Sequence, residues 1–179
     1  MSALDRPTAP DPYSLLPATG SFELRSDDIK PGQRIPDVHT NTEVGENVSP
    51  HLAWSGFPAE TRSFFVTVYD PDAPGPAGWW HWSVVDLPAS VTELPRGAGT
   101  PEATGLPSGA FQLRGDDGIE AYRGSAPPPG DQVHHYYFAV SALDVPSLGV
   151  GPDAMPGMVS TAAVFHTLAR AVLVATYQR

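Results

Sequence analysis

The chain contains no cysteine, which excludes disulfides and thiolate metal sites. It has one lysine, Lys30, and its 10 basic residues face 20 acidic ones, for a formal net charge of −10. That balance argues against a nucleic-acid or anionic-membrane surface, where Lys and Arg must displace counterions. No run of about 18 apolar residues exists, so no transmembrane helix or integral membrane segment is expected. The N-terminus lacks a basic stretch followed by an apolar one, so nothing points to export. Together with the missing cysteines this fits a cytoplasmic protein. Also absent are Gly-x-Gly-x-x-Gly, a Walker-type lysine and the Gly-x-Ser-x-Gly elbow of a hydrolase. No internal repeat is visible.

What the chain does have is proline and glycine, 21 and 17 among 179 residues, with a 41% apolar share. Many turns between short strands are implied, in one domain spanning 1–179 that is large enough to bury a core. Residues 1–17 read as a proline-rich N-terminal arm with little structure of its own. Ser63 to Tyr69 is the strongest strand. It is β-branched, aromatic and near-continuously apolar, hence central and buried on both faces. Trp80 to Val85 and Tyr136 to Ala142 are the next strands. From Ser160 to Tyr177 there is no Gly or Pro, and Val164, Leu168, Ala171 and Val172 can share a helical face behind an N-cap at Ser160. The expectation is a mainly β fold, an antiparallel Greek-key β-sandwich with a C-terminal α-helix.

Two stretches carry the chemistry. One runs Asp70-Pro71-Asp72-Ala73-Pro74 into Gly78-Trp79-Trp80-His81-Trp82. The other runs from Tyr122-Arg123-Gly124-Ser125-Ala126 through Pro127-Pro128-Pro129-Gly130 to His134-His135-Tyr136. Each couples a stiff loop to a histidine on a strand. Taken alone, the aspartates fit a proline-stiffened turn that caps its own amides, and each histidine fits a core residue bonded to a carbonyl. Taken as a pair, the two units suggest convergence on one cavity. His134 and Tyr136 should share a face, with His135 opposite.

Three uses stand open. In an anion site, protonated imidazoles, the Tyr136 hydroxyl and N–H groups of the Gly124–Ala126 turn would donate, with the carboxylates orienting the rings. A metal site is disfavoured, because His134 and His135 are adjacent and diverge, and no His-x-His pair exists. Hydrolysis or isomerisation through Asp70, His81 and His134 would need a nucleophile, and Ser55, Ser83 and Ser125 carry no signature.

Both loop motifs, together with Ser49-Pro50-x-Leu52-x-Trp54 and the segment from Ala169 to Tyr177, resemble the phosphatidylethanolamine-binding protein family over about residues 20–178. The bacterial, Raf kinase inhibitor-like branch is the nearest in pattern. The resemblance implies two antiparallel sheets, a C-terminal helix beside an anion pocket, and a non-enzymatic binder of phosphate, phosphoethanolamine-type headgroups or carboxylates. Carried over position by position, the pocket is Asp70, Asp72, Pro74, Trp79, His81, Gly124, Ala126, His134 and Tyr136. The resemblance implies no catalytic residue, cofactor or metal. A kinase or protease is the partner class it implies, and a homodimer stays open. Two positions depart from the family pattern, Ala126 and Pro129; a positive φ at Ala126 would be strained. The Ala73–Pro74 peptide is expected to be cis.

Overall fold

In the computed structural model, residues 6–179 are described. The strands in chain order are β1 (Gly20–Ser21), β2 (Glu23–Arg25), β3 (Leu52–Ser55), β4 (Ser63–Asp70), β5 (Trp79–Pro88), β6 (Glu93–Leu94), β7 (Phe111–Gln112), β8 (His134–Leu143) and β9 (Thr167–Tyr177). One helix, α1 (Pro156–Val164), precedes the last strand. A six-stranded sheet has the order β1-β9-β8-β4-β5-β7, and a three-stranded sheet the order β2-β3-β6. The small sheet is antiparallel. The large one is mixed, because β1 runs parallel to β9.

The apolar pattern of β4 explains its central place. Phe64, Val66 and Val68 join Leu52, Trp54 and Leu94 in the core between the sheets. Phe65 points the other way, with Val85 and Leu143, onto Val159 and Ala163 of α1. Both faces are therefore covered, as a continuous apolar strand requires. His81 lies on β5 and His134 opens β8, the two strands that flank β4.

The C-terminal segment corrects the sequence reading. The helix is short, starts at Pro156 behind Met155 as N-cap, and ends at Val164. Ser160 lies inside it, and the residues beyond it form β9. The period that wins is two: Ala169, Ala171, Leu173, Ala175 and Tyr177 are buried. Val172 and Val174, apolar on the alternate face, made a helical spacing fit equally well, but β8 pairs along the whole segment from Thr167 to Tyr177. Burying one face against a neighbouring sheet while pairing every backbone group outweighs intrinsic helix preference.

The turn after β4 needs no cis corner. No cis peptide bond occurs among the described residues, Ala73–Pro74 included, which overturns that expectation. The turn is closed by the Asp70 carboxylate, whose Oδ1 accepts from the Asp72 N–H at 2.8 Å. Gly78 then re-enters the sheet at φ 61°, where a Cβ would collide with the Tyr69 hydroxyl and the Asp70 carbonyl.

Candidate functional site

The two loop–strand units do converge. A cavity of about 420 Å³ is lined by Asp70, Pro74, Trp79, His81, Gly124, Ala126, His134 and Tyr136, eight of the nine positions singled out from sequence. Asp72 is the exception. It is buried behind the turn, its Oδ2 accepting from both the N–H of His135 at 3.0 Å and His135 Nδ1 at 2.7 Å. His135 thus faces away from His134, as strand alternation requires.

The second loop is held by contacts remote in sequence. The Gly124 N–H donates to Asn47 Oδ1 at 2.7 Å, and Asn47 Nδ2 donates to the Tyr122 carbonyl at 3.2 Å. The Tyr122 hydroxyl reaches the His39 carbonyl at 2.8 Å. Gly124 lies so close to the backbone of His39 and Thr40 that a Cβ would strike both. Because its N–H is spent on Asn47, Gly124 offers shape to the cavity and no donor. Ala126 is absent from the positive-φ residues, so the strain expected there does not arise.

The two histidines have opposite electrostatics. His81 Nδ1 is 2.8 Å from the Arg123 carbonyl. A carbonyl only accepts, so Nδ1 carries the proton, and Nε2 holds a lone pair unless the ring becomes charged. Burial pushes the His81 imidazole below the ordinary histidine range, against the pull of Asp70. Its Nε2 is 4.0 Å from Asp70 Oδ2, beyond hydrogen-bond reach. His134 is held between two carboxylates: Nδ1 is 2.7 Å from Asp70 Oδ2 and Nε2 is 3.1 Å from Asp131 Oδ2. Nδ1 donates to Asp70, and Nε2 stands between Asp131, an acceptor, and Arg6 Nη2, a donor 3.3 Å away; the carboxylates favour the imidazolium and the guanidinium opposes it. Burial alone would lower its pKa, but Asp70 and Asp131 together raise it. The direct donation from His134 to a bound anion expected from sequence therefore has no free N–H to make it.

The free donor is Tyr136. It is 1% exposed, and its hydroxyl sits beside the Asp70 carboxylate and the Ser125 hydroxyl without a well-formed hydrogen bond to either. Burial first, then the Asp70 charge, push its ionisation far up, so it stays a neutral O–H. Its ring is fixed between the two histidines, edge-on to His81 at 5.2 Å and stacked with His134 at 6.4 Å. A buried unmade hydrogen bond costs about 1–3 kcal/mol, and such a group asks for an explanation. The Ser125 hydroxyl, its neighbour, makes no well-formed hydrogen bond either.

Asn41, Ala73, Asp117, Arg123, Pro127 and Pro128 also line the cavity. Arg123 and the prolines lie inside the second sequence stretch, whereas Asn41 and Asp117 come from loops with no local signal. Arg123 Nε is 2.6 Å from Asp117 Oδ2, so the cationic head at the cavity is already paired. Asp131, beneath His134, was also missed; its position three residues ahead of that histidine was the available clue. Among the described residues no group of three His, Asp or Glu side chains is placed to hold a metal ion. The hydroxyls of Ser83 and Ser125 have no partner, and that of Ser55 bonds Glu23, so none is hydrogen-bonded to a histidine base.

Comparison with known proteins agrees with this architecture. The family model described as phosphatidylethanolamine-binding protein matches residues 25–178. The Escherichia coli protein YbhB is 44% identical over 159 residues, covering 87% of this chain and 99% of its own. The crystal structure of E. coli YbcL, described as a new member of the mammalian PEBP family, superposes with a TM-score of 0.86 at 42% identity, over 89% of this chain and 99% of that one. A phosphatidylethanolamine-binding protein from Plasmodium vivax, at 14% identity and a TM-score of 0.60 over 91% of this chain and 88% of its own, shares the fold.

Proposed function

The chain belongs to the phosphatidylethanolamine-binding protein family, a family of small-ligand-binding proteins, and from that footing we propose that it binds small molecules ending in a phosphate or carboxylate, without turning them over. The buried Tyr136 hydroxyl, which makes no well-formed hydrogen bond to its neighbours Asp70 and Ser125, carries this reading. It supplies a donor in the buried wall of the cavity, and a ligand oxyanion that reaches it competes with the Asp70 carboxylate as acceptor. Beside it, neutral His81 presents a lone pair at Nε2. A monoprotonated phosphate complements that pair of groups: one oxygen accepts from Tyr136 while its O–H donates to His81. When His81 is protonated, Nε2 becomes a second donor and a phosphate monoester with no proton left fits as well. Trp79, Pro74, Pro127 and Pro128 give the cavity an apolar rim for the carbon portion of a phosphoethanolamine-type headgroup.

Binding without chemistry is supported by the commitments of the histidines. Both His134 nitrogens face carboxylates, and among the described residues no serine is hydrogen-bonded to His81. A general base needs a free lone pair beside its proton donor. The alternative, a hydrolase or isomerase using Asp70, His81 and His134, rests on His81 Nε2 alone. A kinase or protease as regulated partner rests on the family resemblance only. No helix among the described residues is long and apolar enough to cross a membrane.

The test is titration calorimetry with inorganic phosphate, O-phosphorylethanolamine and acetate, run beside a broad esterase and phosphatase screen. Saturable binding with no turnover is expected. Turnover that disappears in His81→Ala would replace this reading with the enzymatic one.

A further inference from the structure

The family match begins at residue 25, yet the segment before it reaches the site. Residues 6–16 dock onto the large sheet through named contacts. The Ala9 N–H donates to Asp72 Oδ1 at 2.8 Å. The Tyr13 hydroxyl shares a hydrogen bond with Thr67 of β4 at 3.1 Å, and the Arg170 guanidinium of β9 lies 5.1 Å from the Tyr13 ring centre. These moorings deliver Arg6 to the far side of His134. Its guanidinium forks onto both oxygens of Asp131, at 2.8 and 2.9 Å, and also donates to the Asp72 carbonyl. The fork is the strong bidentate geometry of an arginine on a carboxylate.

We propose that residues 6–16 of the N-terminal arm are part of the binding site: Arg6 is a positioning residue that neutralises Asp131 and so lets the cavity accept an oxyanion, an inference that rests on the binding function proposed above. The groups facing His134 are Asp70 from β4, Asp131 from the loop before β8, Tyr136 from β8 itself, His81 across on β5, and Arg6. Asp72 turns its carboxylate to His135 and Ala9. With Arg6 in place, two carboxylates are balanced by one imidazolium and one guanidinium. Without it the cluster carries one uncompensated negative charge, in a chain whose net charge is already −10. His134 has no free N–H with which to offset that. Arg6 is also what holds Asp131 firmly ionised, through its hydrogen bonds first and its charge after.

The full chain, Arg6→Gln and Arg6→Lys are compared by two measurements. One is calorimetric affinity for inorganic phosphate at about 50 mM and about 500 mM salt. The other is the pH titration of the His134 ring by NMR. Arg6→Gln is expected to weaken phosphate roughly fivefold at low salt, with the gap shrinking at high salt, as befits one charge acting over several ångströms. His134 should hold its proton to higher pH in Arg6→Gln, because Asp131 then faces that ring alone. Arg6→Lys, which keeps the charge and loses the fork, should fall between. Wild-type affinity together with a wild-type His134 titration in Arg6→Gln would overturn the assignment. A wild-type chain that takes no phosphate would overturn the binding function itself, and the His134 titration would still decide whether Arg6 governs that ring.

Discussion

The β5 wall and the β8 wall of the cavity each present a buried histidine, and the two behave as different residues. His81 on β5 is pinned by a backbone carbonyl and kept neutral by burial. His134 on β8 is pinned by two carboxylates and kept charged. Burial acts on both rings in the same direction; what differs is the second ring nitrogen. In His134 it meets Asp131, and in His81 it meets the cavity. The comparison teaches that the histidine locked between carboxylates is pushed toward the charged form, and the one open to the cavity toward the neutral form.

The largest way to break the comparison is to remove the carboxylate near both rings. Asp70→Ala leaves a buried imidazolium short of one partner and should cost about 3–5 kcal/mol, measured by urea unfolding near neutral pH. A loss under about 1 kcal/mol would show that Asp131 alone carries His134.

The β8 wall also depends on β9. Leu173 is 3% exposed and Val172 beside it 39%, the contrast expected of a strand. Leu173→Ala should cost about 2–5 kcal/mol and Val172→Ala well under 1 kcal/mol. Equal costs would contradict the strand placement of this segment.

Smaller, and opposite in sign for the two walls, is the pH dependence of stability. The folded pKa of His134 is raised, so its contribution is fully present below about 6.5 and is lost as pH rises through the folded value. The folded pKa of His81 is lowered, so it costs stability as pH falls below about 6.5 toward that folded value. The NMR titrations of the two rings should therefore straddle about 6.5, with His134 above and His81 below. Both midpoints on one side would erase the distinction between the walls.

Much of this was legible in the sequence. β4 announced itself because Phe64, Phe65, Val66 and Val68 make a β-branched and aromatic run on both faces, interrupted only by Thr67. The cavity was legible because Pro and Gly confine its two loops to short, recognisable runs. The segment from Thr167 to Tyr177 was not, since Ala, Val and Leu on both faces satisfy periods of two and 3.6 alike, and only pairing with β8 decides between them. The roles of the histidines were illegible for a different reason. The sequence shows the His134 ring but not that Asp131 and Arg6, which is 128 positions away, close off its second nitrogen. Asn47, which spends the Gly124 N–H, is 77 positions from that glycine.

The most direct test of the central claim is phosphate affinity in Tyr136→Phe, measured by calorimetry beside the wild type near pH 6 and pH 8, around the ordinary histidine range. The hydroxyl makes no well-formed hydrogen bond to its neighbours Asp70 and Ser125, so its removal should change folding stability by less than about 1 kcal/mol. A hydrogen bond from it to a charged oxygen is worth about 1.5–3 kcal/mol, so affinity should fall at least about tenfold. Wild-type binding should itself strengthen toward lower pH, once phosphate's own titration is removed, because a bound anion raises the His81 pKa and draws in a proton. A Tyr136→Phe protein that binds phosphate as tightly as wild type would contradict the account, because the buried donor on which it rests would then have no part in holding the ligand.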